Sequence, residues 1–292
     1  MGWFFFVFTT GLWSTNFAML LYNGQLLPDE HFALTLPNRG LFFNDGFFET
    51  MVWVEGGIRY LSYHLARMQQ AAGALGLQLP VELAAAQNLT TTLATLLAAD
   101  SKHFGGSCRV RLQVWRSGGG LYTPTTDALE WLVTAQPFQA QDAPVATADF
   151  ASTVHTHFSP VSFCKGPNSL TYVLAARERA HRSLEELILL NTAGHVAESV
   201  SAAVFWITDG CLYTPALTTG CVAGVRRAHL LSVASQHGME CRQGLFHPKE
   251  LLEAELVFTA NVAGIRVLRR LQERHWSAVS PLLAQLREWE AR

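Results

Sequence analysis

The stretch ELILLNTAGHVAESVSAAVFWITDGCLYTP, Glu186 to Pro215, decides the fold. Short apolar runs rich in β-branched and aromatic residues are separated by turn pairs, the mark of adjacent strands. Glu186–Asn191 turns at Ala193-Gly194 into His195–Glu198, and Ala203–Thr208 turns at Asp209-Gly210 into Cys211–Thr214. Asp-Gly accepts the positive φ that a tight hairpin needs. Helical patterns flank these strands, Asn168–Ser183 before them and Val225–Gln236 after. A further strand near Leu256–Thr259 and a helix from Pro281 complete this half.

Working back toward the start, the pattern is again mixed. LLYNGQLL reads as a strand turned by Asn23-Gly24, and Phe47–Val54 as a second strand closed by Glu55-Gly56-Gly57. Leu61–Leu75 has helical spacing and stops at Gly76, and Pro80–Ala99 reads as one further helix. In Ser107–Trp115 the apolar Cys108, Val110, Leu112 and Val114 alternate with Arg109, Arg111 and Gln113, as in a half-buried strand. Leu129–Thr134 is another strand, and the polar, proline-containing Gln136–Pro144 reads as a linker. The expected fold class is α/β (α+β) in two domains. Residues 19–135 form a small N-terminal domain, 136–146 a linker and 147–292 a larger C-terminal domain.

Composition bounds the function. The chain has 292 residues, 49% of them hydrophobic and 15% charged, which excludes disorder and leaves apolar surface for a full core. Lys plus Arg number 21 against 23 Asp plus Glu, so no basic excess is available for a nucleic-acid backbone. The five cysteines are scattered with no CxxC pair, which argues against a zinc site or a disulfide framework and suits a reducing cytoplasm. From Met1 through Pro28 there is no charged residue. That run is long enough to weigh as a membrane span, but Thr9, Thr10, Ser14, Thr15 and Asn16 interrupt it, and no basic n-region or small-residue cleavage site marks a signal peptide. The folded part is expected to begin near Met19. Met1–Ala18 is then either an upstream reading of a start at Met19 or a short apolar extension, and no membrane association is expected.

Few residues stand out for chemistry. Lysine is scarce: Lys102 lies in a polar loop, Lys249 opens a surface helix, and Lys165 lies between PVSFC and Gly166-Pro167 just before a helix. A lysine desolvated at a strand end has a lowered pKa and suits Schiff-base chemistry; the alternative is an ordinary loop lysine. His64 and Arg67 share a helix face, where an arginine can grip a phosphate or simply meet solvent. Glu198 ends a β segment and is followed by Ser199, Val200, Ser201 and two alanines, small residues that admit a close anion; the alternative is a tight hairpin with a solvated Glu. Thr218-Thr219-Gly220 leads through Gly224 to a helix starting at Val225, whose N-terminus can receive a phosphate, though most such starts bind nothing. His155 and His157 would share one face of a strand without a third ligand, so no metal is expected. Arg116 beside Gly118-Gly119-Gly120 either lines a carboxylate site or belongs to a flexible loop.

The order of these pieces is more specific than any one of them. NRGLFFNDGFFET (Asn38–Thr50), YHLARM (Tyr63–Met68), CKGPNSLTYVLA (Cys164–Ala175), GHVAESVSAAVFWITDGCLYTP (Gly194–Pro215) and GCVAGVRR (Gly220–Arg227) follow one another. This succession resembles the class IV aminotransferase family, the fold-type IV pyridoxal-phosphate (PLP) enzymes, from about Leu20 to about Val267. The family includes branched-chain aminotransferases, D-amino acid aminotransferases and 4-amino-4-deoxychorismate lyases. The resemblance implies that Lys165 holds PLP and shuttles the proton, that Glu198 faces the pyridine nitrogen, and that Arg67 binds the cofactor phosphate. It implies further phosphate contacts from Ser201 and from the backbone at Val225 and Arg226. It also implies two α/β domains with the cofactor between them, and a homodimer whose partner chain helps close the pocket around a small amine or amino-acid substrate.

Departures from the family pattern bear on the substrate. Gly224-Val225-Arg226-Arg227 stands where many transaminases carry Gly-Ile-Thr-Arg, so the threonine hydroxyl is missing, as it tends to be in the lyases. Ala203 replaces the usual Asn, and Leu170 the aromatic that branched-chain enzymes carry after the lysine. Leu121 and Thr123 stand at the places of the Arg and His of the D-amino acid enzymes. Arg116 to Tyr122 and Val204-Phe205-Trp206 look closest to the lyase branch. The resemblance therefore implies an aminodeoxychorismate lyase with substrate contacts from Phe48, Arg116 and Tyr122. The alternatives are a branched-chain type transaminase and, more remotely, a non-catalytic homologue.

Overall fold

The alternation read in Ser107–Trp115 is realised in a strand whose inward side chains Cys108, Val110, Leu112 and Val114 are each at most 1% exposed. The computed structural model describes residues 18–99 and 107–291. All of the expected extension except Ala18 lies outside the described residues, and so does Lys102. Among the described residues the strands form three sheets.

The first sheet contains β1 (Met19–Tyr22), β2 (Gln25–Pro28), β3 (Gly46–Val54), β4 (Gly57–Ile58), β5 (Ser107–Arg116) and β6 (Leu129–Pro137), in the order β2-β1-β6-β5-β3-β4. Every pairing in it is antiparallel. One face is covered by α2 (Leu61–Leu75) and α4 (Ala86–Ala99), while α1 (Arg39–Phe43) and α3 (Val81–Ala84) are short. Leu89, Leu93 and Leu96 of α4 recur at helical spacing and are fully buried, each contributing about 2 kcal/mol of apolar burial.

The expected single helix over Pro80–Ala99 is in fact two. Ala85 is extended (φ −132°, ψ 153°), and the Asn88 amide donates at 2.8 Å to the Val81 carbonyl, an acceptor that a continuous helix would fill from Ala85. The expected linker is also shorter, because Gln136 and Pro137 pair with Arg109 and Cys108 as the last residues of β6.

The remaining elements are β7 (Ala148–Phe150), α5 (Ser169–His181), β8 (Glu186–Leu190), β9 (Val196–Ser199), β10 (Ala203–Thr208), β11 (Cys211–Pro215), α6 (Val225–Gln236), β12 (Cys241–Gly244), α7 (Pro248–Glu253), β13 (Leu256–Asn261), β14 (Gly264–Val267), β15 (Arg270–Leu271), β16 (Arg274–His275) and α8 (Pro281–Ala291). They build one sheet ordered β12-β11-β10-β13-β14 and another ordered β16-β15-β7-β8-β9. The Asp209-Gly210 hairpin joins β10 to β11, with both residues at positive φ. His155 and His157 are not on a strand; they flank Thr156, which makes an isolated bridge to Asn191. α6 and α8 cover the β10–β14 sheet through Leu230, Leu283 and Leu286. The segment Phe163–Cys164 packs into the core of the first sheet, so Lys165 emerges where the two halves of the chain meet. No helix among the described residues is long and apolar enough to cross a membrane.

Candidate active site

A cavity of about 440 Å³ opens at that meeting point, lined by Lys165, Arg67, Glu198, Ser201, Val225 and Arg226 among others. Its size suits a cofactor with a small substrate. Six of the residues singled out in the sequence therefore converge, although they are far apart along the chain.

Lys165 is held by its backbone. Its carbonyl accepts from Phe48 N at 2.9 Å, and the Gly166 carbonyl accepts from the Asn44 amide at 2.7 Å, which seats the loop flat on β3. Gly166 adopts φ +131°, and a Cβ there would lie 2.9 Å from Phe47 Cα, so only glycine fits. Burial lowers the Lys165 amine from 10.5 to about 8, helped by the Arg67 charge and opposed by Glu49 and Glu198. Roughly a tenth of the amine is thus free at pH 7, far more than an ordinary lysine offers.

Glu198, on β9, is 4% exposed. Burial raises its carboxyl from 4.5 to about 7, against the pull of its hydrogen bonds. Oε1 accepts from Tyr172 Oη at 2.7 Å and from Val222 N at 3.1 Å. Tyr172, on α5, is pushed well above the usual phenol range by burial and by Glu198, so it stays protonated and donates.

Arg67 sits inside a buried cluster. Its Nε and Nη2 donate to Glu49 Oε1 and Oε2 at 2.7 and 2.6 Å, and its Nη1 donates to the Ala223 carbonyl at 2.8 Å. His64 Nδ1 lies 2.6 Å from Glu49 Oε2. Burial lowers the His64 pKa, so the neutral ring donates to the carboxylate. Burial also pushes the Glu49 carboxyl up, but the Arg67 charge and these hydrogen bonds hold it at about 2. The bond to Ala223 brings the guanidinium beside the start of α6, whose N-cap Gly224 supplies no side-chain cap. The first N–H groups of a helix have no intrahelical acceptor, and here they stand next to a buried cation.

Two predicted substrate residues do not line this cavity. Arg116 is consumed by structure: it donates to Asp45 at 3.0 Å, to Asp127 at 2.9 Å, and to the carbonyls of Thr126, Gly76 and Leu75. A glycine-rich loop beside an arginine resembles an anion site, but these carboxylates and carbonyls already satisfy the guanidinium. Tyr122 is 91% exposed and tilts against Phe43, outside the cavity of its own chain. Phe48 does line it, beneath the Arg111 guanidinium at 3.8 Å. Arg111 and Tyr172, to which the sequence assigns no role, also line it, as does Asn261, in the Thr259–Asn261 stretch where the resemblance loosely implies a last phosphate contact. The alternation of β5 placed Arg111 on the outward face, where its exposed side chain borders the cavity.

The donor set fits PLP in kind. It provides a free amine for an aldehyde, an acceptor carboxylate for a protonated ring nitrogen, and an arginine with an uncapped helix start for a phosphate. No group of three or more metal-ligating side chains occurs among the described residues.

Comparisons with known proteins agree. The family model for amino-transferase class IV matches residues 46–271. The aminodeoxychorismate lyase of Bacillus subtilis (strain 168) is 27% identical over 266 residues, covering 90% of this chain and 89% of its own. The D-alanine aminotransferase of Bacillus licheniformis is 27% identical over 248 residues, covering 82% and 83%. The branched-chain aminotransferase of Thermoproteus uzoniensis, solved with norvaline, superposes with a TM-score of 0.83 at 22% identity over 94% of this chain and 93% of its own, a likeness of fold. With the cavity, its donors and these matches together, the chain belongs to the class IV aminotransferase family, whose PLP-dependent enzymes act on small amine or amino-acid substrates.

Proposed function

We propose that the chain is a 4-amino-4-deoxychorismate lyase, releasing pyruvate and leaving 4-aminobenzoate. The observation that carries the chemistry is the lowered Lys165 amine in one cavity with the Tyr172-bound carboxylate of Glu198. The lyase relative from Bacillus subtilis, alignable over nearly the whole of both chains, supports this branch, as does Arg226 in the place of the transaminase threonine.

When bound, PLP supplies an aldehyde that condenses with amines and a ring that withdraws electrons from the carbon bearing the amine. Lys165 is the residue that holds it and then acts as the base. The proton on the amine-bearing ring carbon of the substrate would go to Lys165 Nζ, the C–O bond to the enolpyruvyl side chain would break with its electron pair leaving on oxygen, and Lys165 would return the proton to the enolpyruvate carbon, giving pyruvate. Glu198 would accept the hydrogen bond from the ring nitrogen, oriented by Tyr172 and Val222 N–H, whose bonds favour its anionic form. Arg67, the backbone at Val225 and Arg226, and Ser201 would hold the phosphate. Arg111, lying over Phe48, is the cation that meets a substrate carboxylate.

The exposed apolar residues Leu36, Leu41, Phe42, Phe43, Leu121 and Tyr122 support a homodimer whose partner chain covers them. In that assembly Tyr122 would reach a pocket across the interface. Two domains meeting at the cavity, with the linker beginning at Phe138, accord with this reading. The five cysteines are free, which supports a cytoplasmic location.

Amino-acid transamination is the second reading, favoured by the D-alanine aminotransferase relative. It uses the same lysine and ends in a keto acid. The deciding experiment supplies aminodeoxychorismate and measures pyruvate and 4-aminobenzoate. Lyase turnover is expected, whereas keto-acid-dependent amino transfer without it would move the assignment to transaminase. A visible absorption band that borohydride bleaches, and that Lys165→Ala lacks, checks the cofactor.

A further inference from the structure

We propose that Glu290, near the end of α8, is a positioning residue that completes the phosphate side of the cavity by clamping Arg226 at the first turn of α6. This rests on the cavity being a PLP site. Arg226 Nε and Nη2 donate to Glu290 Oε1 and Oε2 at 2.6 and 2.7 Å, and the two side chains are only 10% and 6% exposed. A buried, two-bonded carboxylate–guanidinium pair fixes the geometry of both partners.

The pair reaches every element that frames this wall. Arg226 Nη1 donates to the Asn261 carbonyl at 3.0 Å, at the end of β13, and the Asn261 amide donates to the Ser201 carbonyl at 3.2 Å. Tyr60 donates its hydroxyl to Glu290 Oε1 and adopts φ +59° at the N-cap of α2, two turns before Arg67. The Tyr60 ring lies 4.8 Å from that of His229, whose Nε2 is 3.4 Å from the Glu290 carbonyl. Glu290 thus ties together the start of α2, the start of α6 and the Asn261–Ser201 rim. It also neutralises Arg226, leaving the backbone of the first turn of α6, rather than this side chain, to meet an anion. A hydroxyl residue at position 226 would have no such need of α8.

The test compares two attachments of the same helix. Arg287 of α8 donates to the Ile265 carbonyl at 2.6 Å and makes no bond to Arg226. PLP affinity is measured by equilibrium dialysis and tryptophan fluorescence on the folded apo full-length chain, with inorganic phosphate as competitor. Glu290→Gln is expected to weaken both PLP and phosphate roughly tenfold, while Arg287→Ala lowers the melting temperature and leaves both affinities near wild type. Unchanged affinity in Glu290→Gln overturns the proposal. So does tighter binding, which would mean that a released Arg226 is itself the ligand. Equal weakening in Arg287→Ala overturns it too, by reducing the effect to helix docking. If Glu290→Gln fails to fold, Tyr60→Phe is read by the same criteria. Wild-type protein that takes up no PLP overturns the cavity reading along with it, an outcome distinct from the others.

Discussion

The phenol of Tyr172 reaches from α5 to β9 and donates at 2.7 Å to Glu198 Oε1. Burial raises the carboxyl to about 7 and this bond works against the rise. In Tyr172→Phe the carboxyl therefore titrates at a still higher pH. A protonated ring nitrogen needs an anionic partner, so the acid limb of PLP affinity moves upward in this variant. Affinity is expected to fall severalfold at about pH 7 and to approach wild type at about pH 9. Fluorescence titration across that range measures it; superimposable pH profiles would remove Tyr172 from the site.

Glu198 also leaves a signature in stability. Its folded pKa lies above the ordinary 4.5, at about 7, so the folded apo protein binds the proton more tightly than the unfolded chain. Stability contributed by this group is full below about 4.5 and declines as pH rises to about 7. Glutamine carries no such charge. The unfolding free energy of apo Glu198→Gln should match wild type near pH 4.5 and exceed it at about pH 8, by an amount on the order of a few kcal/mol, and the melting temperature should rise with it. The same variant binds PLP poorly, a trade of stability for function. A lower melting temperature than wild type at the higher pH contradicts the desolvation of Glu198.

Glu49 has the opposite sign. Held at about 2 by Arg67 and His64 against its own burial, it contributes stability that is present above 4.5 and lost as pH falls toward 2. Glu49→Gln leaves Arg67 buried without its carboxylate, a loss of about 3 kcal/mol. It also weakens two of the three bonds that orient the guanidinium beside the start of α6, so PLP affinity is expected to drop about tenfold. Melting curves of both proteins should converge as pH is lowered from about 4.5 toward 2. A constant gap across that interval would show that Glu49 is not ionised in the folded state.

The residues that announce themselves in the sequence do so through scarcity and local context. Lys165 is one of three lysines and precedes a glycine that no other residue can replace; Glu198 ends a strand before a run of small residues; Gly224 precedes an evident helix. Arg111 and Tyr172 were hidden because periodicity states which face a side chain takes, and not what that face meets. Glu290 lies 64 residues from Arg226, a pairing set by the packing of α8 on α6. At the break around Ala85 the freed carbonyls of Val81, Glu82 and Ala84 accept from Asn88, Thr92 and Gln69, polar side chains that leave the apolar spacing of α4 unchanged. Arg116 misled for the converse reason: its neighbouring glycines are visible in the sequence, while Asp45, 71 residues away, is not an evident partner.

Arg111 separates substrate binding from cofactor binding. Its guanidinium rests 3.8 Å above the Phe48 ring and lines the cavity, and desolvation there lowers its pKa; the amide oxygen of Gln113 accepts from it at 3.1 Å, and no carboxylate pairs with it among the described residues. A cation on the cavity wall without a counter-charge favours an anionic ligand. Arg111→Gln removes the charge and retains much of the length, so KM for a carboxylate-bearing substrate is expected to rise roughly tenfold to a hundredfold. Arg111→Lys keeps the charge and loses the planar fork, and should fall between the two. PLP affinity and the visible band are expected to stay at wild-type values in both. A variant that loses PLP in step with KM would place Arg111 on the cofactor instead, and one that leaves KM unchanged would assign the substrate carboxylate to another cation.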